Sequence, residues 1–346
     1  MAVAQLVAQH RFEIHENIIG PPAPGEVQVR VEAIGVCGSD LHNFSEGGVG
    51  DMPAEYPMVL GHEPVGTVLA LGAGATGWAP GDRVALEPPI YCYHCEYCMT
   101  GRHNLCNTVR FLSNAGEPGF FRDRANLPVE NLLPLPENVG FAEATLFEPI
   151  SIILHSFRFG DPKLGETTAV IGAGPIGLTT IAALRVAGVS RIYCIEPVAH
   201  RRDLALLLGA DAVIDPTQVD AVKEVLAATG QRGVDVTFDC AAKDGSINQS
   251  IRMTCSGGRV VITGLPSGQF TNIDFQYLRR KEQTFFPVRR SNHKSEHALR
   301  LLKEQAHRFT PMITHRMALA DTQKAFDTLE VYAEGIGKVV LFPEGA

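Results

Sequence analysis

Nowhere in the 346 residues does an apolar run approach the roughly 20 positions that a membrane span needs. The opening stretch, MAVAQLVAQHRFEIHE, has no basic segment ahead of an apolar one, and Gln5, Gln9 and His10 interrupt what apolar character it has. These absences argue against a membrane protein and against a secretory signal. Positive charge is scarce as well: 30 Lys and Arg against 38 Asp and Glu leave a net charge of -8. That sign disfavours nucleic acid or an anionic membrane surface as partner, because both attract basic faces. Internal repeats, low-complexity tracts and flexible linkers are missing too. What remains, with 45% hydrophobic and 20% charged residues, is the composition of a globular chain long enough for about two domains. A cytoplasmic location is expected.

Only eight cysteines are present, yet four of them fall in YCYHCEYCMTGRHNLC, residues 91 to 106. In a reducing compartment clustered thiols hold metal more often than they form disulfides. Cys92, Cys95, Cys98 and Cys106 follow the pattern C-x2-C-x2-C-x7-C, which lets one short loop surround a tetrahedral ion. Four thiolates close the coordination sphere, the mark of a structural zinc. The second cysteine set and trailing Cys-Pro of the common bacterial iron-sulfur pattern are absent, and so is the second C-x2-C of a zinc ribbon.

A looser constellation lies upstream. VCGSDLH brings Cys37, Ser39, Asp40 and His42 together after VQVRVEAIG, where Val27, Val29 and Val31 alternate with polar residues as in a half-buried strand. LGHEPVGTV then sets His62 beside Glu63. Three ligand-type residues on two loops suit an open, catalytic zinc with a position left for water or substrate. Taken singly, Cys37 reads equally as a small buried hydrophobe and His62 as a core or surface imidazole. Glu148, in LFEPISIILHSF, is a carboxylate among apolar residues in a helix that Pro149 is expected to break; buried there it needs a counter-charge, which zinc would provide. His155 reads as structural.

TAVIGAGPIGLTTIAALRVAG passes from an apolar strand straight into a helix, with Gly172, Gly174 and Gly177 forming G-x-G-x-x-G at the junction. The three glycines allow a tight turn, close approach of backbone N–H groups to a pyrophosphate, and close packing of helix on strand. RIYCIE ends in Glu196, 19 residues beyond Gly177, where a carboxylate can accept both ribose hydroxyls and repel a 2'-phosphate. NAD is therefore expected over NADP, although Arg201 and Arg202 stand close enough to receive such a phosphate. Strands and helices keep alternating to about residue 285: AHRRDLALLLGA, AVID, a helix from about Val219 to Ala228, VDVTFDCAA, SINQSIRMT and GGRVVITGLPSG. The division implied is a nucleotide-binding domain over residues 151–285, and a second domain from 1–150 and 286–346 with the cysteine lobe at about 88–110. Two amphipathic helices, around Ser291–Ala306 and Asp321–Val331, and a strand KVVLF complete the second domain.

VCGSDLH, LGHEPVGTV, PGDRV, the four-cysteine loop, FEPISIILH and VIGAGPIGL occur in the order and spacing of the zinc-dependent medium-chain dehydrogenases, and the chain most resembles their sorbitol (polyol) dehydrogenase branch, with threonine dehydrogenase nearby. That resemblance implies an α/β fold in which a doubly wound Rossmann domain is inserted in a mainly β, GroES-like catalytic domain. It implies two zinc ions per chain, NAD, and a homo-oligomer, dimer or tetramer, acting on an alcohol or polyol. Cys37 and His62 match catalytic zinc ligands, with Glu63 or Glu148 as the third, and Asp40 would orient His62. Ser39 and His42 match a proton relay. Gly172, Gly174, Pro175, Ile176, Gly177, Glu196 and Arg201 match cofactor contacts, and Gly264, Leu265, Val288 and Arg289 the side facing the nicotinamide. Asn43 stands where the branch has a tyrosine, and Arg289 and Arg290 where it has Arg-Tyr lining the pocket, which points to an anionic polyol such as a sugar acid or phosphate. The alternatives kept open are oxidation of a hydroxy amino acid, a zinc-free enone or quinone reductase, and a silent nucleotide-binding structural protein.

Overall fold

The computed structural model of the chain describes residues 1–266 and 268–345. They divide into two compact units, Met1–Glu148 with Ser295–Ala346, and Pro149–Lys294. The first is built on a mixed sheet in the order Leu132–Pro134, Arg83–Leu86, Glu63–Leu71, Glu26–Gly35, Lys338–Phe342 and Ile313–Ala318, with Arg124–Pro128 also paired to Glu26–Gly35. The valine alternation is realised directly: Val27, Val29, Val31 and Ala33 are fully buried while the residues between them are only half-buried. This is the period-two pattern of a strand with one face on a core. Phe44, Phe120, Phe121 and Phe326 fill that core.

The second unit is a six-stranded, wholly parallel sheet in the order Ala212–Ile214, Arg191–Ile195, Thr167–Ile171, Val234–Asp239, Thr254–Ile262 and Thr284–Pro287. Numbered along the unit this is 3-2-1-4-5-6, the doubly wound order of dinucleotide-binding folds. Its central strands are buried along most of both faces, as in a sheet covered by helices. The sixth strand, in a stretch expected to open the other domain, pairs through Arg259↔Thr284 to Ile262↔Pro287, so the parallel sheet runs past residue 285. It is the edge strand, with Phe285 and Phe286 half-buried and Thr284 and Pro287 exposed.

Pro149 does not break its helix. Phe147–Gly160 is continuous, and the proline lies in the first turn, where a missing N–H removes no helical hydrogen bond. The helix expected from about Val219 is Ala221–Ala228, because Asp220 caps it by accepting from Val222 and Lys223 N–H. The two amphipathic helices are Ser295–Phe309 and Thr322–Glu330. Among the described residues no helix is long and apolar enough to cross a membrane.

Candidate active site

The segment CGSD makes its own anchor. Cys37 caps helix Gly38–Ser45, and Asp40, three residues on, returns its carboxylate to Cys37 N–H at 3.0 Å, a capping-box contact that fixes where the thiol stands. The same carboxylate accepts from Gly61 N–H at 3.2 Å and from the Ser113 hydroxyl at 3.3 Å, and it lies 3.4 Å from His62 Nδ1. Asp40 is 1% exposed. Burial alone would raise its pKa, but His62 and the N–H groups of Cys37 and Gly61 prevail and hold it below the ordinary range. For His62 burial works to lower the pKa, and Asp40 and Cys37 outweigh it, raising the imidazole well above its usual value. Strand pairing Gly35↔Glu63 brings the 62–63 corner beside Cys37, and the donor atoms of Cys37, His62 and Glu63 lie within 4.8 Å of one another.

Behind this cluster is a lysine that the sequence pattern did not reveal. Lys338, fully buried, pairs with the Glu63 carboxylate and donates to the Val36 carbonyl at 2.9 Å. Gly35 makes room for the pair, since a Cβ there would collide with the Glu63 carboxylate and the Lys338 side chain. Ser113 was also missed; it sits at φ +99°, a strained backbone that presents its hydroxyl to Asp40. Glu148 lies near enough for its charge to act on the cluster. Burial raises its pKa to about 7, with Glu63 and Asp40 adding to the rise and His62 and Lys338 opposing it.

The other residues singled out from the sequence are placed as follows. Ser39 Oγ is 3.5 Å from His62 Nε2. His42 is half-buried on the same helix and pairs through Nδ1 with Glu46 at 3.0 Å. Asn43 is buried and donates to the Ser39 carbonyl at 3.2 Å. His155 is buried in an edge-to-face contact with Phe159 and lowered to about 4 by burial and by the charges of Arg158 and Lys294.

The four lobe cysteines also converge within 4.8 Å of one another, and none is in a disulfide. Cys92 Sγ lies 3.5 Å from Cys106 Sγ and 3.9 Å from Cys98 Sγ. A one-turn helix, Glu96–Met99, carries Cys98 inward. Both clusters fit zinc by their donors: four unpaired thiols in the lobe, and a thiol, an imidazole and a carboxylate at Cys37.

In the parallel-sheet unit Gly172 turns at φ +88°, and a Cβ on Gly177 would strike the Gly172 carbonyl. Gly174 caps helix Pro175–Val186, and a Cβ there would meet no protein atom within 4 Å, so the space before the helix N-terminus is clear. Glu196, 3% exposed, accepts from Ala173 N–H at 2.6 Å and from Val198 N–H at 2.9 Å, standing beside the glycine turn. Gly264 follows the fifth strand and donates its N–H to the Asp239 carbonyl at 2.9 Å; Leu265 is exposed, and Val288 N–H bonds to the Ile262 carbonyl at 2.9 Å. Arg289 and Arg290 follow the sixth strand after Val288.

A parallel nucleotide-binding sheet in one unit and a largely buried thiol–imidazole–carboxylate cluster in the other define a metal-dependent, nucleotide-linked oxidoreductase. Residues 23–137 match the alcohol dehydrogenase GroES-like domain, and residues 175–304 match the zinc-binding dehydrogenase domain. The chain belongs to the zinc-binding medium-chain dehydrogenases, close to their sorbitol and polyol branch. It is 32% identical to the sorbitol dehydrogenase of Homo sapiens over 93% of this chain and 90% of that one. It is 31% identical to the L-idonate 5-dehydrogenase of Vitis vinifera, over 94% and 90%. A solved zinc-binding dehydrogenase from Sinorhizobium meliloti 1021, bound to NADP, superposes with a TM-score of 0.90 at 30% identity, covering 99% of both chains.

Proposed function

We propose that the chain interconverts a secondary alcohol of a polyol or sugar derivative with its ketone, using NAD and one zinc ion at the Cys37 cluster, and that its preferred substrates carry a carboxylate or phosphate. The carrying observation is the convergence of Cys37, His62 and Glu63 within 4.8 Å, with Asp40 behind them. When bound, zinc supplies a Lewis acid for the alcohol oxygen and NAD an acceptor for the hydride. Cys37, His62 and either Glu63 or Glu148 would hold the metal, and the four lobe cysteines a second, structural ion.

The chain's own residues do the rest. Asp40, held by two N–H groups and the Ser113 hydroxyl, fixes the His62 ring so that Nε2 faces Ser39. The Ser39 hydroxyl accepts the alcohol proton and hands it to His42, whose half-buried imidazole leads it outward beside Glu46. Gly174 and the N-terminus of Pro175–Val186 receive the coenzyme pyrophosphate, and Glu196 takes the ribose hydroxyls; its oxygens each keep a lone pair after accepting from Ala173 and Val198. NAD rather than NADP follows from that carboxylate.

The preference for an anion rests on Arg289 and Arg290, which follow the Thr284–Pro287 strand at its carboxyl end, where ligands bind in doubly wound sheets. Paired guanidiniums suit a carboxylate or phosphate. The likeness to an L-idonate dehydrogenase supports this reading, and the likeness to sorbitol dehydrogenase supports a neutral polyol as the second. The test is kcat/KM with NAD for a panel of neutral polyols against their aldonates and phosphates. Higher values for the anions, lost in Arg290→Met, support the proposal; higher values for the neutral polyols overturn the anionic preference. NADH binding without turnover of any alcohol overturns the dehydrogenase reading itself.

A further inference from the structure

The coenzyme site contains more cation than its charge pattern suggests, and the way one arginine is held matters for selectivity. Arg202 lies on helix Ala199–Leu207, the helix that follows strand Arg191–Ile195 and the residue after it, Glu196. Its guanidinium donates to the Glu196 carbonyl at 2.9 Å and to the Pro197 carbonyl at 2.7 Å, so it rests against the backbone of the residue that receives the ribose. It is also paired with Asp215 at 3.1 Å. Asp215 follows the neighbouring strand Ala212–Ile214, and its other oxygen accepts from the Thr217 N–H at 2.9 Å and the Thr217 hydroxyl at 2.6 Å. The carboxylate is thus locked from one side and offered to Arg202 from the other. These hydrogen bonds, with Arg202 contributing, hold the Asp215 pKa below the ordinary carboxylate value, so it is ionised at neutral pH.

We infer that Asp215 is a coenzyme-selectivity residue that acts by position: it withholds the Arg202 guanidinium from a 2'-phosphate, while Glu196 repels that phosphate directly. The inference rests on the reading of Glu196 as the ribose receptor. A 2'-phosphate brings close to two negative charges and needs a guanidinium free to turn its donors toward it. Arg202 rests against the Glu196 and Pro197 carbonyls through Nη1, and Asp215 holds that same nitrogen, so the guanidinium is fixed in this orientation against the backbone. Selectivity for NAD is then set by two carboxylates, one facing the coenzyme and one behind the arginine.

The experiment measures dissociation constants of NADH and NADPH on the full zinc-loaded chain, by the fluorescence of the bound nicotinamide, for wild type, Asp215→Asn, Glu196→Gln, the double variant, and the double variant with Arg202→Met. Wild type is expected to bind NADH more tightly. Asp215→Asn should move the NADPH to NADH ratio about tenfold toward NADPH, the scale of one charge-assisted hydrogen bond. In the double variant the shift should add to that of Glu196→Gln, and Arg202→Met should cancel the part due to Asp215. A ratio unchanged by Asp215→Asn, with both affinities falling together, means a structural strut and overturns the inference; so does a gain that survives Arg202→Met. Should Asp215→Asn fail to fold, Thr217→Ala loosens the same carboxylate and is expected to shift the ratio about two- to threefold in the same direction; no shift overturns the inference. A wild type that prefers NADPH, or binds neither, overturns the NAD reading and this inference with it, whereas NADH preference without the Asp215 effect overturns the inference alone.

Discussion

The two cysteine-bearing clusters both bring their donor atoms within 4.8 Å of one another and are otherwise built in opposite ways. The lobe takes all its donors from residues 92 to 106, uses one residue type, and depends on a turn of helix and a few loop bonds. The Cys37 cluster draws three residue types from two segments, aligned by strand pairing, and is backed by Asp40, Ser113 and the buried Lys338. Four thiolates complete a tetrahedron and leave nothing for chemistry; three mixed donors leave a place for substrate. A site that only stiffens a loop can be written locally, whereas one that must keep a position open needs the surrounding sheet to keep it so.

Breaking each cluster in turn separates them most sharply. Cys37→Ser should abolish NAD-linked alcohol oxidation and remove one of two zinc ions, measured by elemental analysis beside the assay; Cys98→Ser should remove the other ion and lower the melting temperature while the folded fraction keeps its kcat. Loss of both metals from either variant would erase the distinction. Next in size is Asp40→Asn, expected to cost about 10- to 100-fold in zinc affinity, read by chelator competition, because the imidazole loses its orienting partner.

Lys338→Met leaves the Glu63 carboxylate buried without its cation. In the zinc-free chain this should cost about 3–5 kcal/mol by denaturant unfolding. Zinc should reduce the cost, as its charge replaces the lost ammonium; an equal cost with and without zinc would mean that Glu63 does not reach the metal. The smallest effect lies within the lobe. In the zinc-free chain the N–H groups of His94 and Cys95 pull Cys92 down to about 5 despite the cost of burial, while burial pushes Cys98 up to about 12. Cys92 should therefore be alkylated at lower pH than Cys98, as mass spectrometry of the modified peptides would show.

This contrast also explains what could be read from the sequence. The lobe was legible from spacing alone, because every donor lies in one short run. The valine alternation gave the Glu26–Gly35 strand, and the glycine turn gave the nucleotide fold, since both are local patterns with a fixed period or spacing. Cys37 and His62 were ambiguous residue by residue and became convincing only when the order of several motifs was weighed together. Lys338 was invisible: in KVVLF it reads as a polar residue at the start of an apolar strand, and nothing near it announces Glu63. Asp215 and Ser113 were passed over for the same reason, each acting on a partner distant in the chain. The sixth parallel strand was missed because TFFP lacks alternation, and Pro149 was misread because its position within the first helical turn depends on where the helix begins.

Lys338 lies on a strand, Lys338–Phe342, that pairs with Glu26–Gly35 in the sheet carrying Cys37. During synthesis that strand is made after the whole of residues 149–294, the parallel-sheet unit. Until it is made, the other unit lacks an inner strand of its sheet and the cation facing Glu63. The Glu63 carboxylate is therefore held by a residue that is made late.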